Sequence, residues 1–314
     1  MSFDTVLSGA NQGLIWAVLA LGVFISFRLL DFADLSCEGC YACGALTTAM
    51  LLKGGTNPVL AALIAFLVGC LAGAMTGILH TKLKIPPIMA GILTMTSLYS
   101  INLMITDASP TVNIGSAPEI YGQVGDFAKA IFGAAARRTY VSLALGILIA
   151  TAIIFILYWF LGTEMGCTIR ATGDNEKMCR AQGINTDFSK VLGLALSNGL
   201  IALAGCLMCQ YQSSANVTMG IGAIVIALAS IIIGEVLFSF ARGFILKLTG
   251  IVVGAVIYRV IISIIIATEL MSTNNLKLLT ALVVIAVLGF PIVMGNIRSA
   301  MKRRAKRKEA AHAE

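Results

Sequence analysis

A chain of 314 residues that is 58% hydrophobic and 12% charged carries about half the charge of an ordinary soluble domain, where roughly a quarter of residues are charged. No soluble core of this length needs so much apolar surface, so the composition excludes a water-soluble globular protein and points to a bilayer. The net charge of +7 is concentrated in the closing stretch MGNIRSAMKRRAKRKEAAHAE, which suits anionic lipid and not nucleic acid.

Hydropathy divides the chain into apolar stretches near the roughly 20 residues that cross the hydrocarbon core. They fall at about 6–27, 35–52, 58–80, 88–106, 139–162, 190–211, 219–240, 244–268 and 276–294. The expected fold is therefore all-α, a polytopic membrane protein of about nine transmembrane helices, within a range of eight to ten. Residues 1–294 form one transmembrane domain and 295–314 a basic tail. The first stretch lacks a basic leader and runs too long for a cleavable signal peptide. The second, LSCEGCYACGALTTAMLL, carries Glu38 and is the candidate for a broken or re-entrant helix, whose irregular backbone other helices or a water-filled cavity must shield.

Cys37, Cys40 and Cys43 recur every three residues, which places them roughly on one helical face. An iron–sulfur run would want a fourth Cys close by, and Cys70 is too distant, so the three read as small packing residues. Gly69, Gly73 and Gly77 stand at four-residue steps, and Gly199 with Gly205 and Gly250 with Gly254 fall inside later spans. Such positions let helix backbones approach closely.

Between the fifth and sixth spans lies TEMGCTIRATGDNEKMCRAQGINTDFSK, residues 163–190, with eight charges, whereas 191–234 has none. Asp174 is placed to cap a short helix over 175–182, with Glu176 in its first turn, Arg180 in its last and Gly183 at its stop. A helix of eight residues is about 12 Å long. Structured polarity of this kind outside the membrane suits the docking of a water-soluble partner.

Orientation follows from the basic residues. With nine spans and an inner tail, sixteen Lys and Arg lie inside and five outside, with Arg259 alone within a span. The positive-inside rule then sets the amino terminus outside, and the 163–190 segment and the carboxy terminus in the cytoplasm. Enzyme signatures are missing: the chain has no Gly-Lys dipeptide and so no phosphate-binding loop, and its two histidines, His80 and His312, stand apart without metal-ligand spacing. Glu38, Glu235 and Arg259 are ionisable groups at membrane depth, each costing roughly 2.5–3.5 kcal/mol to insert at a helix centre, so each must face a cavity, a partner or an interface. Glu235 is close enough to the inner end of its span to face the cytoplasm, while Glu38, Asn102 and Arg259 are the candidates for a translocation pathway, with snorkelling or bridging between helices the other reading of Arg259.

The run Arg170-Ala171-Thr172-Gly173-Asp174-Asn175, followed by Ala181-Gln182-Gly183-Ile184-Asn185, Lys190 and LGLALSNGLIALAG, resembles the coupling region of ABC importer permeases of the branched-chain amino acid and ribose type. Phe32-Ala33-Asp34-Leu35-Ser36 with Gly44-Ala45, KIPPIMAGILTMTSLYS and ALASIIIGEVLFSFARGF agree with the family in the same order, so the resemblance covers nearly the whole chain. Departures occur at Glu235, where the family has the second of two glycines, and at Ser239-Phe240-Ala241-Arg242-Gly243, which replaces a glycine-rich turn. The nearest subgroup serves amino acids, a tryptophan or tyrosine set included.

The resemblance implies a transport subunit and not an enzyme. It assigns coupling to Arg170, Gly173, Asp174, Asn175, Arg180, Ala181, Gly183 and Ile184. It also implies a cytoplasmic ATP-binding cassette subunit, an extracytoplasmic substrate-binding protein and a second permease subunit, a homodimer in the simplest case. ATP and magnesium would be used by the cassette, with no cofactor held by this chain. The cell membrane is the expected location. A secondary transporter or channel would need no cassette, and the matching broken halves of a secondary transporter are not found.

Overall fold

The computed structural model describes residues 3–115, 119–125, 138–239 and 243–267, with two isolated positions at 285 and 289. But for those two positions, the ninth expected span and the basic tail lie outside the described residues. The helices are α1 (Phe3–Phe24, continued by a π-helical turn Ile25–Leu29), α2 (Cys37–Lys53), α3 (Pro58–Thr81), α4 (Pro87–Ile105) and α5 (Arg138–Gly162). They are followed by α6 (Glu164–Asp174), α7 (Glu176–Ala181), α8 (Thr186–Gln212), α9 (Ala223–Leu237) and α10 (Phe244–Ala267). Strands β1 (Thr111–Asn113) and β2 (Ser214–Asn216) pair antiparallel with Val112 opposite Ala215.

Six of these helices, counting α1 with its π turn, are long and apolar enough to cross a membrane. The two others at expected spans, α2 and α9, have 17 and 15 residues. The protein is thus a polytopic all-α membrane protein, and the count of nine is not reached within the described residues.

The apolar spans divide into a core and a shell. In an apolar 18-residue stretch of each helix, 78% of α1 and 72% of α8 is buried inside the protein, against 28% for α4 and for α5. The first pair is therefore the centre of the bundle and the second its lipid-facing rim. Leu63, Leu67, Leu71 and Met75 of α3 are exposed, on the face turned away from α8. On the opposite face the glycine steps seen in the sequence carry the packing. A Cβ at Gly73 would come within 2.2 Å of the Leu194 carbonyl oxygen, and one at Gly69 within 2.4 Å of that of Asn198. Backbones this close leave room for no side chain. Cys37, Cys40 and Cys43 are buried at 1% exposure or less among the core residues of α1 and α8, as the packing reading expected.

The second span differs from its sequence reading in an instructive way. Helix α2 is unbroken, and the irregular backbone precedes it, at residues 30–36. Alternate residues of that stretch are buried, with Phe32, Asp34 and Ser36 at 3% exposure or less. Asp34 reaches Asn198, near the midpoint of α8, so α2 begins half-way along the bundle and runs beside the second half of α8. Helix α9 begins at the same depth: its N-cap Gly222 donates its N–H to Glu38 Oε1 at 2.9 Å. From there it runs the other way, ending where Glu235 pairs with Arg28. Two half-length helices thus start from a common level and diverge, which is why neither reaches full span length.

Candidate functional site: the docking helix and the buried polar groups

Residues 163–190 fold into two helices and not one. Thr163 caps α6, its hydroxyl accepting from the Gly166 N–H at 3.4 Å, and Asn175 caps α7, its Oδ1 accepting from the Met178 N–H at 3.0 Å. The expected cap at Asp174 is therefore corrected to Asn175. Asp174 is the last residue of α6 and remains helical, whereas Asn175 turns to the extended conformation that an N-cap requires. Helix α7 spans six residues, about 9 Å. Its stop at Gly183 is as expected: the residue sits at φ +80°, a left-handed conformation suited to glycine, and Gly183 and Ile184 donate back to the carbonyls of Arg180 and Cys179 at 3.0 Å each.

The two helices are fastened to the bundle at opposite ends. A Cβ at Gly173 would meet the Leu29 carbonyl oxygen at 1.9 Å, so α6 lies directly against the end of the π turn of α1. Arg170 sets its guanidinium over the Phe244 ring at 5.6 Å, which reaches α10. Arg180 fans out from α7. Its Nε donates to Thr186 Oγ1 at 2.8 Å, and its Nη2 donates to Glu176 at 2.8 Å and Asp187 at 3.0 Å. Glu176 accepts from Lys190 as well, at 2.8 Å, and Lys190 approaches His80 Nε2 of α3 at 3.4 Å. Hydrogen bonding to Lys190, reinforced by the charges of Lys190 and Arg180, holds the Glu176 carboxyl below its ordinary value.

Of the expected coupling residues, Arg170, Gly173 and Arg180 make these attachments, Asn175 caps, and Gly183 and Ile184 close the turn. Asp174 and Ala181 are exposed. The sequence reading named Glu176 only as an acid of the first turn, without its contacts, and missed Asp187 and the exposed apolar side chains Met178 and Phe188. The four-residue spacing of Glu176 and Arg180 was the available signal. Arg28, Lys190, His80 and Glu235 all gather at this end of the bundle, and Lys53 lies at the other.

The pathway candidates separate. Glu38 is half-buried and caps α9 from α2. Asn102 is 1% exposed, and its Oδ1 finds no partner among the described residues. Arg259 donates through Nε to Gln12 Oε1 at 2.9 Å, with Nη2 on the same oxygen, and lies over the Trp16 ring at 5.7 Å. Trp16 in turn stacks on Tyr41 at 5.4 Å. The Trp16 Nε1 and the hydroxyls of Tyr41 and Tyr258 are buried without partners among the described residues. Arg259 thus ties α10 to α1 amid several unused donors, and it does not contact Glu38 or Asn102.

Polarity not foreseen as a site lies at the root of α2. Asp34 Oδ1 accepts from the Ser36 N–H at 2.8 Å and from its hydroxyl at 2.6 Å, and Oδ2 accepts from Asn198 Nδ2 at 2.6 Å. All three residues are fully buried. Three bonds to one carboxylate satisfy the start of α2 within the bundle, where an unpaired N–H costs several kcal/mol, roughly 2–7 by transfer data.

A bundle of apolar helices, with two shorter helices starting at its centre and a polar two-helix segment at one end, is the architecture of a multi-pass membrane protein. The family model described as branched-chain amino acid transport system permease component matches residues 5–288, and the chain belongs to that family. It is 41% identical over 302 residues to the tyrosine transport system permease protein of Clostridioides difficile, covering 95% of this chain and 94% of that one. It is 28% identical over 262 residues to the ribose import permease protein of Haemophilus influenzae, at 82% and 75% coverage. The autoinducer 2 import system permease protein of Yersinia pseudotuberculosis is 26% identical over 311 residues, at 99% and 82%. No solved structure matches the chain.

Proposed function

We propose that the chain is the membrane-spanning subunit of an ATP-driven, binding-protein-dependent importer of an amino acid. The observation that carries the choice of substrate is the 41% identity, along nearly the full length of both chains, to a permease named for tyrosine transport, against 28% to one named for ribose. The docking segment supplies the rest of the reading. Met178 and Phe188 stand exposed beside a capped helix outside the spans, a surface suited to a cytoplasmic cassette subunit that binds ATP and magnesium. Movement of α7 would pass to α1 through Gly173 and to α3 through Lys190. A second copy of the chain would complete the pathway, and a binding protein would deliver solute at the opposite end. Glu38, Asn102 and Arg259 are then residues of the route between, with Arg259 presenting donors to a carboxylate.

The test is uptake in proteoliposomes that hold the complete complex. Tyrosine or a related amino acid should enter only with ATP, cassette and binding protein all present. Entry of ribose alone would overturn the substrate, and ATP-independent entry would overturn the class.

A further inference from the structure

A cup of about 450 Å³ opens at the end of the molecule opposite α7, within the roughly 300–1,000 Å³ usual for small-molecule sites. Asp4, Ser8 and Asn11 line it from one face of α1, Thr139 and a serine from α5, and Tyr121, Tyr211 and a serine just past α8 close it. Every one of these side chains carries an oxygen, one is a carboxylate, and no Lys, Arg or His lines the cup among the described residues. The Asp4 carboxylate and the acceptor oxygens around it attract positive charge. The lining suits a cation.

The residues behind the lining sharpen this. Asn11 is 3% exposed, and its Nδ2 is committed to the Thr139 carbonyl at 3.2 Å, so the Oδ1 left without a partner among the described residues is an acceptor. Ser213, the serine past α8, donates to Glu119, which fixes that side of the wall. Tyr121 and Tyr211 meet edge to face at 5.7 Å, and Tyr211 shares a hydrogen bond of 3.3 Å with Ser8. Aromatic faces attract cations and pack against rings. One residue further along α1, Gln12 holds Arg259, so the polarity reverses from acceptors at the mouth to a guanidinium beneath.

We propose that this cup is a reception subsite for the ammonium group of an amino acid, with an aromatic side chain resting against Tyr121 and Tyr211. The assignment rests on the amino-acid reading above and adds the site. Oxygen donors alone would also take a monovalent metal ion, and the tyrosine pair is what favours an organic cation.

Binding to the purified chain in detergent, followed by calorimetry, tests the cup without cassette or binding protein. The probes are tyramine, which has ring and ammonium, and 3-(4-hydroxyphenyl)propionate, which has ring and carboxylate. Tyramine should bind at least tenfold tighter than the propionate. Asp4→Asn should weaken tyramine at least tenfold with the unliganded melting temperature unchanged. Absence of tyramine binding, equal binding of the two probes, or an unaffected Asp4→Asn variant would each overturn the proposal. Elimination of tyramine binding by sodium chloride, but not by choline chloride of equal ionic strength, would assign the cup to a metal ion and overturn it too. Failure of amino-acid uptake by the complete complex, with tyramine binding intact, would instead sink the importer reading alone.

Discussion

Single residues in this protein act by joining helices that the chain separates widely. Arg259 is the clearest case, since its fork grips one carbonyl of Gln12 while its plane lies on Trp16. Lysine keeps the charge and loses both the second donor and the stack. Arg259→Lys should therefore destabilise the purified chain by about 1–3 kcal/mol, the range for leaving buried polar groups unsatisfied, seen as a lower midpoint in thermal unfolding. An unchanged midpoint would remove the bridging role. The sequence announced Arg259 by its charge within an apolar run. It did not announce Gln12, because a glutamine between two and three turns into a helix has no feature of its own until α10 is packed beside it.

Elements show the same division between local and distant causes. Glycine ridges and the stop at Gly183 were legible, because each depends on residues adjacent in sequence or at a fixed helical step. Helix α6 and the shift of the cap from Asp174 to Asn175 were not, because two residue types equally good at capping stand side by side and only the path of the chain chooses between them. The half-length of α2 and α9 was also hidden: hydropathy counts apolar residues and does not register that residues 30–36 and 217–222 are not helical.

The tie between α7 and α8 carries a prediction in pH. The Glu176 carboxyl sits below its ordinary value of 4.5. A group depressed in the folded state stabilises fully above that ordinary value and loses its contribution as pH falls through the folded one. Protection of the α7 amides against hydrogen exchange, corrected for the intrinsic rate, should thus be flat from pH 7 to about 5 and fall below pH 4.5. Glu176→Gln should show lower protection at pH 7 and no such step. Arg180→Glu, which reverses the charge facing both acids, should lower substrate-stimulated ATP hydrolysis at least fivefold while membrane insertion holds. Unchanged hydrolysis would deny α7 a coupling role.

On the scale of the whole molecule, charge asymmetry and geometry meet. Cys167 is the one exposed thiol among eight, and it lies on α6. Its labelling by a membrane-impermeant maleimide reads the orientation without any substitution. With the docking segment cytoplasmic, intact cells should leave Cys167 unlabelled and inside-out vesicles should expose it. The reverse pattern would turn the topology over, and with it the assignment of the cup to the outer face.

Helix α8 leaves the docking segment at Thr186 and ends at Gln212 beside the cup. It is 27 residues long, about 40 Å, with no proline in its course. Near its midpoint Asn198 is held by Asp34 and lies against the Gly69 backbone. A stiff rod fixed at its middle is a balance beam. A tilt of only about 5° would carry each end roughly 1.7 Å, in opposite directions, over a half-length of about 20 Å. Pressure on α7 and occupancy of the cup would then be felt on the two arms of one lever, with the carboxylate of Asp34 as its fulcrum.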